Sequence, residues 1–391
     1  MKKLLKIDAL LATLLVFISM LLFPLVFSFD FFEPFKKALT DFEVTDVGFT
    51  ELREAGKIKP DTNIVLINSK GLKRHEIGML LNALDEIKPK VIGMNIEIER
   101  SNNKGLDRLL NIRLKRENVL LGAFFDNDQE ISDDLLDVYF NEKKGKGFLN
   151  VFIDKDKEYF TAREFTPELL NNDQMPHSFA ASVINKYDKS KIAKLMARAN
   201  SKERIYFTGN IDKFFWIHGF DILDDPSDFG HLNDKILLIG EFTPDKEPYD
   251  LDEGYYTPLN EESVGRTFPD MYSVVLQANI ISMILNERYY DSLPEWIAII
   301  IAFLLCYINM IIFGRVNIKY KNWYEITSVF LFLIESIVIL FLTVLLFHEY
   351  DFELNLNLTI FAIALSVFVF EGYNESVKPL TIRAYNYIFR R

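Results

Sequence analysis

Four polar residues end or interrupt two short apolar runs near the start of the chain. Asn68 and Ser69 end the run NIVLINS, and Asn95 and Glu97 lie in the run KVIGMNIEI. These runs predict two adjacent parallel strands, and open α/β sheets bind ligands at the carboxyl ends of their strands. The polar groups could therefore hydrogen-bond a small ligand. Alternatively, the asparagines and the serine cap helices or hold turns, with Glu97 in solvent.

A lone carboxyl group, Glu335, interrupts the apolar stretch FLFLIESIVIL. A carboxylate inside a bilayer is costly unless it is protonated or paired. One interpretation is a functional group, in proton movement or in docking a partner helix. The other is a protonated carboxyl group hydrogen-bonded within a helix bundle, with Ser336 as the neighbouring hydroxyl. No basic residue lies in the other apolar runs, which disfavours a complete ion pathway in one chain.

Other site chemistries find no support in the residue spacing. The acidic stretches DNDQEISDD (126–134) and YDLDEG (249–254) lack the ligand spacing of a calcium loop. The five histidines are scattered, and no phosphate loop, nucleophile elbow or Cys/His arrangement is present. We therefore predict no metal, no cofactor and no enzymatic activity.

Four apolar runs have the length that a helix needs to cross a bilayer. They cover residues 9–29, 294–313, 327–347 and 354–372. The leading MKKLLK is typical of a signal peptide, but SFDFFEPF after the first run offers no small-residue cleavage site. We therefore predict an uncleaved N-terminal span followed, later in the chain, by three closing spans.

The basic residues near these runs predict the orientation, because Lys and Arg collect on the cytoplasmic side. They lie in residues 1–8, 314–326 and 373–391, whereas the loop 348–353 has none. Both termini are then cytoplasmic, and residues 30–293 form a large domain outside.

That outer domain is acidic. It holds 34 Lys and Arg against 47 Asp and Glu, since 10 and 9 of the chain's 44 and 56 lie outside it. Such a surface repels nucleic acid, which we exclude as a partner. The single cysteine, Cys306, allows no intramolecular disulfide.

Within the outer domain, two hydrophobic patterns alternate. Short apolar runs at 63–68, 90–98, 118–125 and 235–242 predict strands, and helical spacing recurs at 76–88, 106–116, 177–187 and 269–285. This alternation predicts an α/β fold with a mainly parallel sheet flanked by helices. The stretch GKGFLNVFIDKDKEYF (145–160) predicts a hairpin.

The order of several segments resembles the CHASE domain, type two, an extracytoplasmic sensory module of bacterial membrane receptors. The segments are IVLINSKG, KPKVIGMNIEIE, HSFAASVI, RIYFTGNIDKF, DKILLIGEFT, YYTPL and PDMYSVVLQANIISMIL. One leading span, the domain and three closing spans are also the family's layout. The resemblance implies a sensory domain on a bacterial inner-membrane protein that works as a homodimer.

The chain departs from the family pattern in several places. Family members commonly carry acidic residues where this chain has Asn68 and Ser69, an aspartate at Asn95 and a histidine at Gln277. These changes weaken an inherited ligand or metal site. Members also usually continue into an output domain, whereas residues 373–391 are too few for one. The resemblance then implies that the domain reports to another chain.

Two functions fit these observations. The first is a receptor-like sensory subunit whose outer domain binds a ligand or protein and acts through a separate partner. The second is a structural or docking subunit of a multiprotein inner-membrane envelope assembly, such as secretion or motility machinery. Both require the lipid bilayer and other membrane or envelope proteins as partners.

Overall fold

The chain divides into two compact units, residues 49–290 and residues 1–48 together with 291–391. The structure is a computed structural model, and the residues it describes are 2–26, 61–96, 110, 112–124, 145–151, 161–169, 177–244, 246, 248, 254–260, 268–320 and 323–380. Glu97 and the two acidic stretches named above therefore lie wholly or largely outside the described residues.

The regular elements agree in large part with the predicted alternation. The helices are α1 (Lys2–Val26), α2 (Arg74–Ile87), α3 (Phe179–Tyr187), α4 (Lys189–Ala197), α5 (Gly219–Asp224), α6 (Ser273–Asn286), α7 (Glu295–Lys319), α8 (Tyr324–Tyr350) and α9 (Asn357–Gly372). The main strands are β1 (Asp61–Asn68), β2 (Val91–Asn95), β3 (Val119–Ala123), β4 (Lys146–Phe148), β5 (Phe214–His218) and β6 (Ile236–Gly240). Leu110 and residues 112–114 are also helical, within the helix predicted over 106–116.

Shorter elements complete the described structure. Two 3₁₀ helices cover Ile211–Lys213 and Pro226–Leu232, and a π-helical turn covers Tyr373–Val377. Two-residue strands pair Glu164–Phe165 with Glu203–Arg204, Gly254–Tyr255 with Met271–Tyr272, and Asp291–Ser292 with Phe352–Glu353.

The six main strands form one sheet in the order β4-β3-β2-β6-β1-β5. Every pairing in it is parallel. The predicted α/β class with a mainly parallel sheet is therefore confirmed. Residues Ile236–Gly240 are wholly buried, as is typical of a central parallel strand with both faces covered.

The prediction that the first two strands are adjacent is wrong. β6 lies between them, so that Asn68 and Asn95 both stand in register with Gly240. Strand order depends on pairing between distant segments, which the local apolar pattern does not record. The carboxyl ends still share one edge of the sheet, because all three strands run in the same direction.

Of the hairpin predicted over 145–160, only residues 145–151 lie among the described residues, and the hairpin stays a prediction. Lys146–Phe148 pairs in parallel with β3 and adds a strand at the edge of the main sheet. A Cβ atom at Gly147 would lie 2.6 Å from the Cα atom of Phe179, so glycine lets the sheet edge approach the start of α3. Residues 152–160 lie outside the described residues.

Helix α2 shows how the local sequence sets its ends. The backbone N–H of Lys73 donates to Glu76 at 2.6 Å, which satisfies one of the unpaired donors at the helix start. Leu80 and Leu84 are fully buried on its inner face. The helix ends where Lys88 turns left-handed with φ of 56°, directly before Pro89.

Helix α6 is the most deeply buried helix of the sheet unit. Every residue from Val274 to Leu285 is buried, so the helix is covered on all sides. A Cβ atom at Gly240 would lie 2.5 Å from Val274, which brings the first turn of α6 against the carboxyl end of β6. This helix therefore begins at the carboxyl edge of the sheet.

The second unit contains the apolar helices. Among the described residues, three are long and apolar enough to cross a membrane: Glu295–Lys319, Tyr324–Phe347 and Asn357–Leu380. They confirm the three predicted closing spans. Helix α1 packs against the same bundle, with Ala9, Ala12 and Val16 buried beside Ala302 and Met310 of α7.

Candidate functional site

Three of the predicted polar residues, Asn68, Ser69 and Asn95, lie along the carboxyl edge of the sheet. Asn68 ends β1 and Asn95 ends β2, while Ser273 and Gln277 belong to the first turns of α6. We call Asn68, Ser69, Asn95, Ser273 and Gln277 the carboxyl-edge cluster. All are buried except Ser273, and all five side chains are neutral.

Asn68 has a clear structural role in this cluster. Its Nδ2 donates to the carbonyl of Phe242 at 2.9 Å, and its Oδ1 accepts from the backbone N–H groups of Phe242 and Lys70. It therefore fastens the turn after β1 to the chain after β6. For this residue the structure favours the turn-holding interpretation of the sequence.

Two polar atoms of the cluster, unlike those of Asn68, have no hydrogen-bond partner in the described part of the chain. The hydroxyl of Ser69 and the Oε1 atom of Gln277 are buried without a hydrogen-bond partner among the described residues. Gln277 Nε2 donates to the carbonyl of Leu149 at 3.1 Å, so only one end of this amide is bonded. Buried polar atoms without partners are rare, and each is a place where a polar ligand atom could bind.

Asn95 joins the sheet edge to α6. Its Nδ2 donates to the hydroxyl of Ser273 at 3.1 Å, at the first residue of the helix. Tyr272, which precedes the helix, makes no side-chain cap, so the first backbone donors of α6 have no such partner. The cluster can therefore recognise a polar ligand by hydrogen bonds, and any movement there acts directly on the start of α6.

A line of polar residues continues along α6. Asn279 is fully buried, accepts from the backbone N–H of Thr208 at 2.7 Å, and donates to the carbonyl of Gly209 at 2.9 Å. Ser282, one turn after Asn279, and Asn286, two turns after it, both donate to Asp61 Oδ2, at 2.9 and 2.8 Å. The helix is thus held to neighbouring segments along its whole length.

Asp61 forms what we call the Asp61 clamp, with Asn63, Ser282 and Asn286. It is the first residue of β1, it is 8% exposed, and its Oδ1 accepts from the backbone N–H of Asn63 at 2.9 Å. The clamp fixes the entry of the chain into the sheet to the last turn of α6. Sequence reasoning missed it, because one aspartate in a polar stretch carries no distinctive signal.

The residues directly after α6 are anchored by α4. Lys191 and Lys194 donate to the two carboxyl oxygens of Glu287 at 2.5 and 2.7 Å. Arg198 bonds the carbonyl of Tyr290 at 3.1 Å and lies 4.7 Å from the ring centre of Tyr289. Burial raises the pKa of the Tyr289 hydroxyl to about 12, so this ring stays neutral.

The contacts of Glu287 with Lys191 and Lys194 lead to one prediction about pH. Hydrogen bonds from Lys191 and Lys194 hold the pKa of Glu287 below its usual 4.5. The carboxylate therefore stabilises the fold above pH 4.5, and this contribution is lost as the pH falls through the lowered pKa. We expect Glu287→Gln to show less loss of thermal stability between neutral and acidic pH than wild type, measured by unfolding at each pH. Equal losses would contradict the prediction.

Within the membrane helices, Glu335 has a partner on the neighbouring helix. Its Oε2 atom accepts from Asn309 Nδ2 of α7 at 2.7 Å, and Asn309 is fully buried. Asn309 Oδ1 and the hydroxyl of Ser336 have no partner among the described residues. The expected Ser336 contact is therefore wrong, since the amide of α7 takes its place. A protonated Glu335 could in turn donate to Asn309 Oδ1.

Metal binding finds no support in the described residues. No group of three His, Cys, Asp or Glu side chains within them could hold an ion. The carboxyl-edge cluster consists of amides and hydroxyls, which are weak ligands without a carboxylate, thiolate or imidazole.

An α/β domain and three helices long and apolar enough to cross a membrane define a membrane protein with a folded α/β domain. The family model of the CHASE2 domain matches residues 13–311, and the chain belongs to this family of extracytoplasmic, non-catalytic sensory domains. The resemblance found in the sequence is thereby confirmed. Comparisons with curated proteins and with solved structures found no match.

Proposed function

We propose that this chain is a receptor-like membrane subunit. Its CHASE2 domain binds a small polar molecule or a protein outside the cytoplasm, at the carboxyl edge of the sheet. The change then passes along α6 to the membrane helices, and from there to a separate partner chain.

The observation that carries the proposal is the position of α6. Its first turn bonds Asn95 at the sheet edge, and its last turn bonds Asp61 at the opposite end of β1. Eight residues, 287–294, separate the helix from the first closing span. A 14-residue helix is about 21 Å long and rigid, so a displacement at the edge is delivered to this short connection.

A fourth, N-terminal span is part of the proposal. Helix α1 has 25 residues, enough for about 37 Å. Ile7, Leu14 and Ile18 are exposed on one side, whereas Ala12 and Val16 are buried against the bundle. An exposed apolar face on a packed helix suits contact with lipid. The basic residues at 1–8, 314–326 and 373–391 support the orientation we propose, with both termini in the cytoplasm of a bacterial inner-membrane protein.

Purification of the full chain in mild detergent tests the proposal through what co-purifies. We expect a stoichiometric signalling chain, or a retained small molecule that Asn95→Leu and Gln277→Leu release, both identified by mass spectrometry. Asn233→Leu, at an exposed site, is the control and should release nothing. The receptor proposal would be contradicted if secretion or motility proteins co-purify in stoichiometric amounts and the Asn95→Leu and Gln277→Leu variants release no small molecule.

The second function is a docking subunit of such an envelope assembly. One observation favours it: both ends of the Asn68 amide bond backbone groups, and Asn95 bonds Ser273. Many polar groups at the carboxyl edge therefore already have hydrogen-bond partners within the domain. This suits a domain that binds other proteins through its outer surface rather than a small molecule in a pocket. The purification experiment separates the two functions.

Glu335 allows a separate test of whether the membrane helices bind the partner chain. Glu335→Gln keeps an acceptor for Asn309 but removes the ionisable group. In this proposal the carboxyl group of Glu335 also bonds a helix of the partner chain, and such a contact contributes about 1–2 kcal/mol. We therefore expect about tenfold weaker recovery of the partner chain. Ser328→Ala, within the same helix, should leave recovery unchanged. If Glu335→Gln recovers as much partner chain as wild type, the ionisable group of Glu335 has no role in binding that chain.

A further inference from the structure

A small crevice, partly open to its surroundings, lies between the ends of α1, α7 and α9. Its wall includes apolar side chains of α7 and α9 and the backbone at Gly314. The polar part of the lining consists of Asp8, Asn317, Tyr373, Asn374 and Lys378. The crevice therefore combines an apolar wall with one acidic, one basic and several neutral polar groups.

Its depth along the helices follows from the apolar runs. Asp8 directly precedes the run 9–29, Asn317 follows the run 294–313, and Lys378 follows the run 354–372. All three positions lie just outside the apolar runs, at the same end of the bundle. This is the level of the lipid headgroups on one side of a bilayer.

The polar groups of the crevice are already arranged around one another. Lys378 Nζ lies 3.1 Å from Asp8 Oδ2, and the Tyr373 hydroxyl donates to Asp8 Oδ1 at 3.3 Å. Asn374 Nδ2 is buried and has no hydrogen-bond partner among the described residues. Tyr373 and Asn374 belong to the π-helical turn, a distortion that often occurs at functional sites.

We propose that this crevice binds a phospholipid headgroup that carries both a phosphate and a primary amine. Lys378 and Asn374 donate to the phosphate oxygens, and the ammonium of the lipid donates to Asp8. An anionic headgroup without an amine would place negative charge beside Asp8, uncompensated. A quaternary ammonium has no N–H to donate and is too bulky for close approach. The acyl chains lie along the apolar wall.

Bound lipid would connect the N-terminal helix to the ends of α7 and α9. These three helices already meet there through Ala9, Met310 and Phe370. A headgroup bonded to Asp8 on one helix and to Lys378 beyond another adds a bridge between them. The composition of the bilayer would then affect how firmly α1 is held in the bundle.

Native mass spectrometry of the full chain in detergent tests this proposal directly. The protein is titrated with phosphatidylethanolamine, phosphatidylglycerol and phosphatidylcholine in equal amounts. We expect the protein to bind phosphatidylethanolamine about tenfold more tightly than the other two lipids. These two have no ammonium N–H, so they cannot make the charge-assisted hydrogen bond to Asp8. Lys378→Gln and Asp8→Asn should each remove the preference.

Two further variants keep the test independent of folding. Asn374→Leu leaves the Asp8–Lys378 ion pair in place, so its expected several-fold loss of lipid binding cannot arise from breaking that pair. Lys319→Gln changes an exposed cation at the same end of α7, outside the crevice, and should bind as wild type. Equal retention of the three lipids, a preference for phosphatidylglycerol, or unchanged binding by Asn374→Leu would overturn the proposal.

Discussion

Replacing Asn279 by leucine is expected to lower the free energy of unfolding of the α/β unit by about 3 kcal/mol. The asparagine is fully buried and accepts from the backbone N–H groups of Thr208 and Gly209. It also donates to the carbonyl of Gly209. Leucine fills a similar volume but leaves these backbone groups buried without partners. Native-state hydrogen exchange of the β1 and β6 amides in the full chain measures the change.

The matched control is Asn233→Leu, the same chemical change at an exposed position. It should alter the free energy of unfolding by less than about 0.5 kcal/mol. A similar effect from both substitutions would show that Asn279 does not hold α6 to the 208–209 segment.

Replacing Asp61 by alanine is expected to cost about 2 kcal/mol, concentrated at the last turn of α6. The carboxylate accepts from Ser282, Asn286 and the backbone of Asn63. Asn286 keeps its bond to the carbonyl of Ser282, which limits the loss. The expected result is faster hydrogen exchange in residues 282–290, measured by mass spectrometry.

Asp212→Ala removes a carboxylate of a different kind, since that side chain is 66% exposed. It should leave exchange in residues 282–290 at the wild-type rate. If Asp61→Ala also leaves that exchange unchanged, the Asp61 clamp does not hold the end of α6.

Much of the fold could be predicted from local patterns. Val91–Asn95 and Ile236–Gly240 are wholly buried strands, and such strands appear in the sequence as continuous apolar runs. The helices α2, α3 and α6 also lie where helical spacing predicted them. These elements record their own burial in their residue types, so a single sequence is sufficient to find them.

Other parts of the fold depend on distant contacts. The strand Phe214–His218 was missed because it lies at the sheet edge, with Phe215 and His218 exposed, so its apolar pattern is broken. The position of β6 between β1 and β2 is set by pairing across more than 140 residues. No local pattern specifies such an order.

The candidate site divides in the same way. Asn68, Ser69 and Asn95 were found because strand ends are visible in the sequence, and Gln277 was marked by the family resemblance. The hydrogen-bond partners of these residues could not be predicted, because Ser273 and Leu149 reach the edge only through the folding of distant segments. Asn309 likewise became a partner of Glu335 only when α7 packed beside α8.

We propose that α6 carries a change at the sheet edge to the connection with the membrane helices. Hydrogen exchange of the full chain in the Asn95→Leu variant tests it most directly. This substitution breaks the bond to Ser273 at the first residue of α6. We predict that the free energy of opening of residues 284–290 falls by about 0.5–2 kcal/mol, although they lie at the far end of the helix. Faster exchange confined to residues 91–96 and 271–277 would contradict the claim.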